Sequence, residues 1–418
     1  MKINTEPVRG TKDYGPKEME IRDFVTQKIL STYKQNGFLH IKTPILEDIN
    51  LLDGSDGGDN LKLMFKILKR GEKLNLEGNN LKERDLIDMG LRYDLTVPLA
   101  RFYANNQNNL PKPFKSIQID DSFRAERPQR GRYRQFTQCD IDILGDNSEN
   151  AEIEILQVAG ETLQNIGFEN FTFKINDRRI LNNLILTAGF STEDLQKVCI
   201  TLDKRDKIGY EGIKKELLEN GYNETNIDNI ISILADITEK GIDALYNTKV
   251  DIEYIDRLKR IIDSVNYLSK NKYKVEFDIS IIRGQGYYTS TVMEVYLDGF
   301  SGASGGGGRY DEMIGKIINV PTTAVGFSIG YERVCLILQE MNKKVYQETK
   351  TALIYDKNYD FVEVMKQKEQ TKGIVMIVPK AKNLQNQVNK LRDLGIDNFV
   401  MLSNNQWDIA DLNKIISK

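Results

Sequence analysis

The stretch from Phe123 to Gly145 constrains the fold of this chain more than any other. It reads as two strands joined by a Pro128-Gln-Arg-Gly131 turn. Beyond the turn the pattern repeats every two residues, the period of a strand. Arg132, Arg134, Gln138, Asp140 and Asp142 share one parity, and Tyr133, Cys139, Ile141 and Ile143 share the other. The odd face is therefore expected to be buried and the even face to be a row of hydrogen-bonding groups. On the first strand, Arg124 and Glu126 point the same way. A buried polar group without a partner costs about 1–3 kcal/mol, so such a face needs something to hold. Taken alone, the hairpin also has a blander and less favoured reading, a surface element closed by its own ion pairs.

A chain of 418 residues has room for two or three domains, each with its own core. Charged residues at 28% and hydrophobic ones at 40% are the balance of an ordinary globular protein. No apolar run approaches the ~20 residues of a membrane span, and the start, Met1-Lys-Ile-Asn-Thr-Glu-Pro7, lacks the apolar stretch of a signal peptide. Cys139, Cys199 and Cys335 are too scattered for a metal site or a disulfide framework, which suits a reducing cytoplasm. A net charge of −3 gives no global attraction to nucleic acid, so any RNA contact must come from local clusters such as Arg127 to Arg134. His40 is the only histidine. That nearly excludes a His-based triad, which would have to use His40 itself, and a multi-histidine metal site. Arginines, carboxylates, amides and phenols remain, a set that suits phosphate-transfer chemistry, where positioning and charge stabilisation dominate.

Along the chain, Pro16 opens a helix with Ile21, Val25, Ile29 and Tyr33 on one face and Gly37 as its stop. A strand from Phe38 to Leu46 follows, broken by Pro44, and a hairpin is expected around Leu61 to Leu68. Leu91-Arg-Tyr-Asp-Leu-Thr96 leads into a helix from Val97 to Asn105, and another helix spans Ala151 to Ile166. Residues 175–270 change character to charged amphipathic helices with few Pro or Gly. Strands are expected again over Val275 to Ile282 and Tyr287 to Tyr296. The last ~70 residues alternate short apolar strands with helices. The expected division is a catalytic domain in two parts, 1–174 and 271–342, a helical insertion at 175–270, and a small α/β domain at 345–418.

Several separated segments together resemble the histidyl-tRNA synthetases of class II. Arg9-Gly-Thr-Lys-Asp13 with Pro16 is similar to that family's N-terminal signature, and the helix, strand and Pro44 after it resemble motif 1. The hairpin resembles motif 2, and Gly326 to Arg333 resembles motif 3. Arg283-Gly-Gln-Gly-Tyr-Tyr288 and Gly306-Gly-Gly-Arg-Tyr-Asp311 resemble the two histidine-specific blocks. The resemblance covers nearly the whole chain apart from the insertion and the tail. It implies an α+β fold, an antiparallel sheet flanked by helices, and activation of L-histidine with ATP followed by transfer to tRNA(His). It also implies ATP as substrate, Mg²⁺ accompanying ATP, a homodimer and no membrane association.

The residue roles it implies agree with the chemistry. Negative charge builds on the α-phosphate during adenylation, and arginines stabilise it as always-ionised bidentate donors. Arg124, Arg283 and Arg333 match the catalytic positions, with Arg333 also toward the triphosphate and Glu126 toward adenine. Asp94 and Thr96 would take the substrate ammonium. Asp142 and Tyr288 match the imidazole-binding positions, with Tyr287 beside them and Gln138 nearer the substrate carboxylate. In the turn, Arg127 and Gln129 would meet the tRNA acceptor end. The tail is basic from Lys366 to Arg392, with only Glu369 opposing, which fits a solvated helix face as well as anticodon contact.

The sequence departs from the family at three places. Gly286 stands where many members have Asp, Thr137 where His or Tyr is common, and the tail looks short for an anticodon-binding domain. The competing reading is a catalytically silent paralogue serving as the regulatory subunit of ATP phosphoribosyltransferase. Such proteins are expected to lose the tail and degrade motif 2, whereas Arg124, Glu126, Gln138, Arg283 and Arg333 are all retained here.

Overall fold

The structure is a computed structural model and describes residues 3–54, 58–76, 81–282, 287–318, 320–341, 345 and 348–416. The chain divides into two compact units. One comprises Met1–Lys12 with Val25–Ile337, and the other Asp13–Phe24 with Leu338–Lys418.

Among the described residues, the larger unit is built on an eight-stranded sheet. Its spatial order is Leu39–His40, Phe114–Phe123, Gln135–Leu144, Ala324–Ile329, Gly305–Arg309, Thr291–Leu297, Phe171–Asp177 and Lys274–Phe277. The two outermost pairs are parallel and the inner pairs antiparallel. Cys139, Ile141, Ile143, Phe173, Phe327 and Val295 lie on one face and are all buried. The helix Asn150–Ile166 packs on the Ala324–Ile329 strand. The other face carries Gln118, Gln138, Asp140, Asp142 and Ser328, brought into line by the pairings Gln118 with Asp140, Ser116 with Asp142, and Asp142 with Gly326. The predicted alternation is present, but Asp140 and Asp142 are as buried as the apolar side, at 5% and 4% exposure.

Several sequence-based extents are revised. The hairpin strands end at Phe123 and begin at Gln135, so Arg124, Glu126, Arg132 and Arg134 lie in the connection. The backbone there is paired elsewhere: Ala125 N–H donates to Leu63 O and Arg134 N–H to Gly10 O. Across the connection, Arg124 N–H donates to Arg134 O at 2.8 Å, and a Gln129–Arg132 bridge closes the turn. The strand expected over Val275 to Ile282 stops at Phe277, because the Asp278 carboxylate accepts from the Ser280 N–H and hydroxyl and turns the chain. The next strand begins at Thr291, after Tyr287 and Tyr288. Near Leu61 a 3₁₀ turn over Gly58–Leu63 precedes the short strand Lys66–Leu68, which pairs with Ile87–Leu91 rather than forming a local hairpin. The strand expected over Phe38 to Leu46 is two pieces, Leu39–His40 and Leu46–Asp48, in different sheets on either side of Pro44.

The helices Arg178–Thr187, Leu195–Leu202, Arg205–Glu219, Glu224–Lys240 and Ile252–Ser269 fill the interval between the strands Phe171–Asp177 and Lys274–Phe277. Asn223 and Asp251 cap two of them by accepting from Thr225 N–H and Glu253 N–H. Ile255, Leu258, Ile261 and Val265, at helical spacing, give the last of them its buried stripe. That helix packs on Asn150–Ile166.

The smaller unit holds a three-stranded parallel sheet, Ile374–Pro379, Lys350–Tyr355 and Asn398–Leu402. Ala352 and Ile354 of the central strand pack with Leu384, Val388, Leu391 and Leu412 from two of its helices. Lys350 pairs with Glu20 inside this unit. Among the described residues, no helix is long and apolar enough to cross a membrane.

Candidate functional site

The polar face of the large sheet is roofed by the segment Arg92–Thr96. Arg92 is fully buried. Its Nε donates to Asp121 O at 2.7 Å and its Nη1 to Thr43 O at 2.9 Å, and its Nη2 lies 3.1 Å from Asp120 Oδ2. Gln118 Nε2 donates to Leu95 O at 2.9 Å. These bonds fix Asp94 and Thr96 over the strands. Asp94 Oδ1 accepts from Val97 N–H at 3.1 Å, in the first turn of the helix Thr96–Asn106. The Tyr287 hydroxyl faces the same carboxylate, yet Oδ2 is buried with no partner at hydrogen-bond geometry. Burial pushes the Asp94 carboxyl above its ordinary range, against the pull of Val97 N–H and the Arg124 charge.

Arg124 donates Nε to Tyr93 O at 3.0 Å, and its guanidinium sits 5.0 Å from the centre of the Phe136 ring. Gln138 turns Nε2 toward Asp140 at 3.3 Å and leaves Oε1 buried without a partner. Asp142 accepts from the Tyr310 hydroxyl at 2.6 Å. Burial raises both Asp140 and Asp142, and Asp140's charge raises Asp142 further. Gly326 faces Asp142 across the sheet, and a Cβ there would stand 1.9 Å from Asp142 Oδ1. Only glycine lets the carboxylate lie flat against that strand. Tyr287 contacts Tyr288 and Tyr310 edge-on, at 4.9 and 6.0 Å between ring centres. A cleft of about 240 Å³ opens beside the tyrosine pair, lined also by Arg178, Asn182, Thr289 and Lys316.

The structure thus brings Asp94, Thr96, Arg124, Gln138, Asp142, Tyr287 and Tyr288 to one region. Arg333 lies next to the hairpin turn, its guanidinium 5.0 Å from the centre of the Phe300 ring, on which Arg130 also sits at 5.7 Å. Glu126 lies 3.7 Å from Arg132, and Arg127 and Gln129 are exposed on the turn. Arg283 and Gly286 lie outside the described residues. Thr137 turns its hydroxyl to Asp121 at 3.0 Å, on the face opposite Gln138, and its N–H donates to Glu332. That departure therefore leaves the pocket's polar row unchanged. The four glycines at 305–308 form a central strand.

Tyr310 and Asp140 are the site residues to which sequence reasoning gave no role. Asp140 stands in the even row, so its signal was present. Tyr310 lies 168 residues from its partner, in the block that resembles a histidine-specific signature, which marked the segment but not the pairing with Asp142.

Solved structures share this fold. Histidyl-tRNA synthetase from Nostoc sp. PCC 7120 superposes with a TM-score of 0.75 at 24% identity, over 96% of this chain and 92% of that one. A protein from Bacillus halodurans C, described as an ATP phosphoribosyltransferase regulatory subunit/histidyl-tRNA synthetase, gives 0.76 at 17%, over 97% and 100%. In sequence, the histidyl-tRNA synthetase family profile matches residues 10–334. The probable histidine–tRNA ligase of Tropheryma whipplei (strain Twist) is 38% identical over 418 residues, 95% of each chain. The chain belongs to the histidyl-tRNA synthetase family.

Proposed function

We propose that this chain activates L-histidine with ATP and transfers it to tRNA(His). The observation that carries the reading is the pair of orphaned acceptors, Asp94 Oδ2 and Gln138 Oε1, buried in the same polar pocket as Arg124. An ammonium supplies the missing donors at Asp94, assisted by Thr96. With Nε2 turned to Asp140, Gln138 offers an acceptor, so it suits the ammonium better than the carboxylate. Asp142, held by Tyr310, reads one imidazole nitrogen, and Tyr288 reads the other with Tyr287 beside it. A site built on such bonds rejects analogues lacking the partner groups by about 10⁴–10⁵.

A histidine carboxylate oxygen then attacks the α-phosphorus of ATP, the bond to the bridging oxygen breaks, and diphosphate leaves. Arg124 and Arg283 stabilise the charge on the α-phosphate, while Arg333 and Glu126 hold the triphosphate and adenine. Mg²⁺ enters with ATP as substrate, bound to phosphate oxygens. A terminal ribose hydroxyl of tRNA next attacks the carbonyl and AMP leaves, with Arg127 and Gln129 on the acceptor end. We read residues 175–270 as an insertion in the catalytic domain and 345–418 as a small RNA-binding domain. Leu39, Ile45 and Leu46, exposed around Pro44, suit a homodimer contact, and the setting is the cytoplasm.

ATP–diphosphate exchange measured with each amino acid tests the reading. Exchange with histidine alone is the expected result. Histidine binding without exchange would assign the chain to the regulatory class instead.

A further inference from the structure

On the side of the sheet away from the pocket, Arg309 is 3% exposed and has every arm engaged. Its Nε donates to Glu152 Oε1 at 2.8 Å and its Nη2 to Oε2 of the same carboxylate, a bidentate pair. Its Nη1 donates to Asp146 O and its Nη2 to Ser148 O, each at 3.0 Å. Glu152 is fully buried and accepts two further bonds, from Thr291 Oγ1 at 3.2 Å and from Arg257 Nη2 at 2.9 Å. Arg257 belongs to the helix Ile252–Ser269 and also reaches Glu149 at 3.2 Å. Burial alone would raise the Glu152 carboxyl, but the two guanidiniums outweigh it and hold it below the ordinary range.

The backbone of the same arginine faces the pocket residues. Arg309 O accepts from Thr289 N–H at 2.8 Å, fixing the residue after Tyr288. The next residue, Tyr310, donates its N–H to Ala324 O and its hydroxyl to Asp142. One guanidinium therefore anchors both partners assigned to the imidazole, Tyr288 through a carbonyl and Asp142 through the neighbouring phenol. A displacement of one ångström at such a mount is enough to cost on the order of 100-fold.

We propose that Arg309, clamped by Glu152, is a positioning residue for imidazole recognition. Arg257 extends the clamp to the last helix of the 175–270 segment, so that segment's seating sets histidine affinity. The inference rests on the histidine reading of the pocket. It concerns the pocket's mount, and ATP is held by other residues.

The test is histidine binding by calorimetry without ATP, together with KM for histidine and for ATP in exchange, on full-length Arg309→Lys, Arg257→Met and Arg257→Lys. Arg257 lies at the edge of the network, with its side chain 15% exposed, so its variants provide a folded comparison if Arg309→Lys does not fold. Arg309→Lys is expected to weaken histidine binding about tenfold or more and Arg257→Met about threefold. Arg257→Lys should recover most of the loss, and KM for ATP should stay within twofold throughout. Unchanged histidine affinity in folded Arg257→Met and Arg309→Lys overturns the inference alone. Proportional losses for histidine and ATP overturn it too, since they mark general destabilisation. A wild-type protein that binds no histidine overturns the pocket reading and this inference with it.

Discussion

The Tyr310 hydroxyl donates to Asp142 Oδ1 at 2.6 Å across 168 residues of sequence. The phenol leaves the carboxylate one face for a ligand and fixes its plane. Hydrogen bonds to charged groups contribute about 1.5–3 kcal/mol. Tyr310→Phe should therefore raise KM for histidine roughly 10- to 100-fold in the exchange assay, with KM for ATP little changed.

Gly326→Ala places a methyl group where Asp142 Oδ1 now lies, at 1.9 Å. The strand is central and paired on both sides, so the carboxylate has to move. Histidine binding should fall at least tenfold, measured by calorimetry. Gly10→Ala provides a contrast. Gly10 has a φ of +89°, and a Cβ there would meet Pro128 and Arg134 at 2.8 Å. It should disturb the turn and lower tRNA charging more than exchange.

Asp140 is held above the ordinary carboxylate range, at about 7, mainly by burial and further by the Asp94 charge, against the Ser328 hydroxyl. The folded state then keeps a proton that the unfolded chain has lost, so this group makes stability fall as pH rises from about 4 toward 7. Asp140→Asn removes that dependence. The variant should be more stable than wild type at pH 8 and no more stable at pH 4. Thermal melts at the two pH values without ligand check the sign.

Arg124→Lys keeps the charge but loses the Nε–H that donates to Tyr93 O. Exchange at saturating substrates should drop about 100-fold, the scale of one lost transition-state donor. Wild-type kcat would remove Arg124 from the proposed chemistry.

Much of this arrangement could be read from the chain. The period-two row from Gln138 to Asp142 does form the polar face, because strand geometry leaves a side chain no third direction. Val25, Ile29 and Tyr33 of the expected helical stripe are buried as spaced. The sequence was less informative wherever a distant backbone took over local pairing. Gly10 and Leu63 claim the N–H groups that would have lengthened the hairpin, and Asp278 ends a run of apolar residues that reads as strand. Tyr310 escaped because a phenol's partner is set by tertiary approach and carries no local period.

The Arg257–Glu152–Arg309 chain of ion pairs has a consequence for engineering. The 175–270 segment sits between two strands of the sheet and looks like a cassette that could be exchanged with a relative's. Yet its last helix supplies one of two cations to a carboxylate that is 0% exposed. A graft carrying an uncharged residue at that position would leave Glu152 short of a counter-ion in a dry interior. Chimeras should therefore transplant Arg257 together with Glu149 and Glu152, so the unit to exchange is larger than residues 175–270.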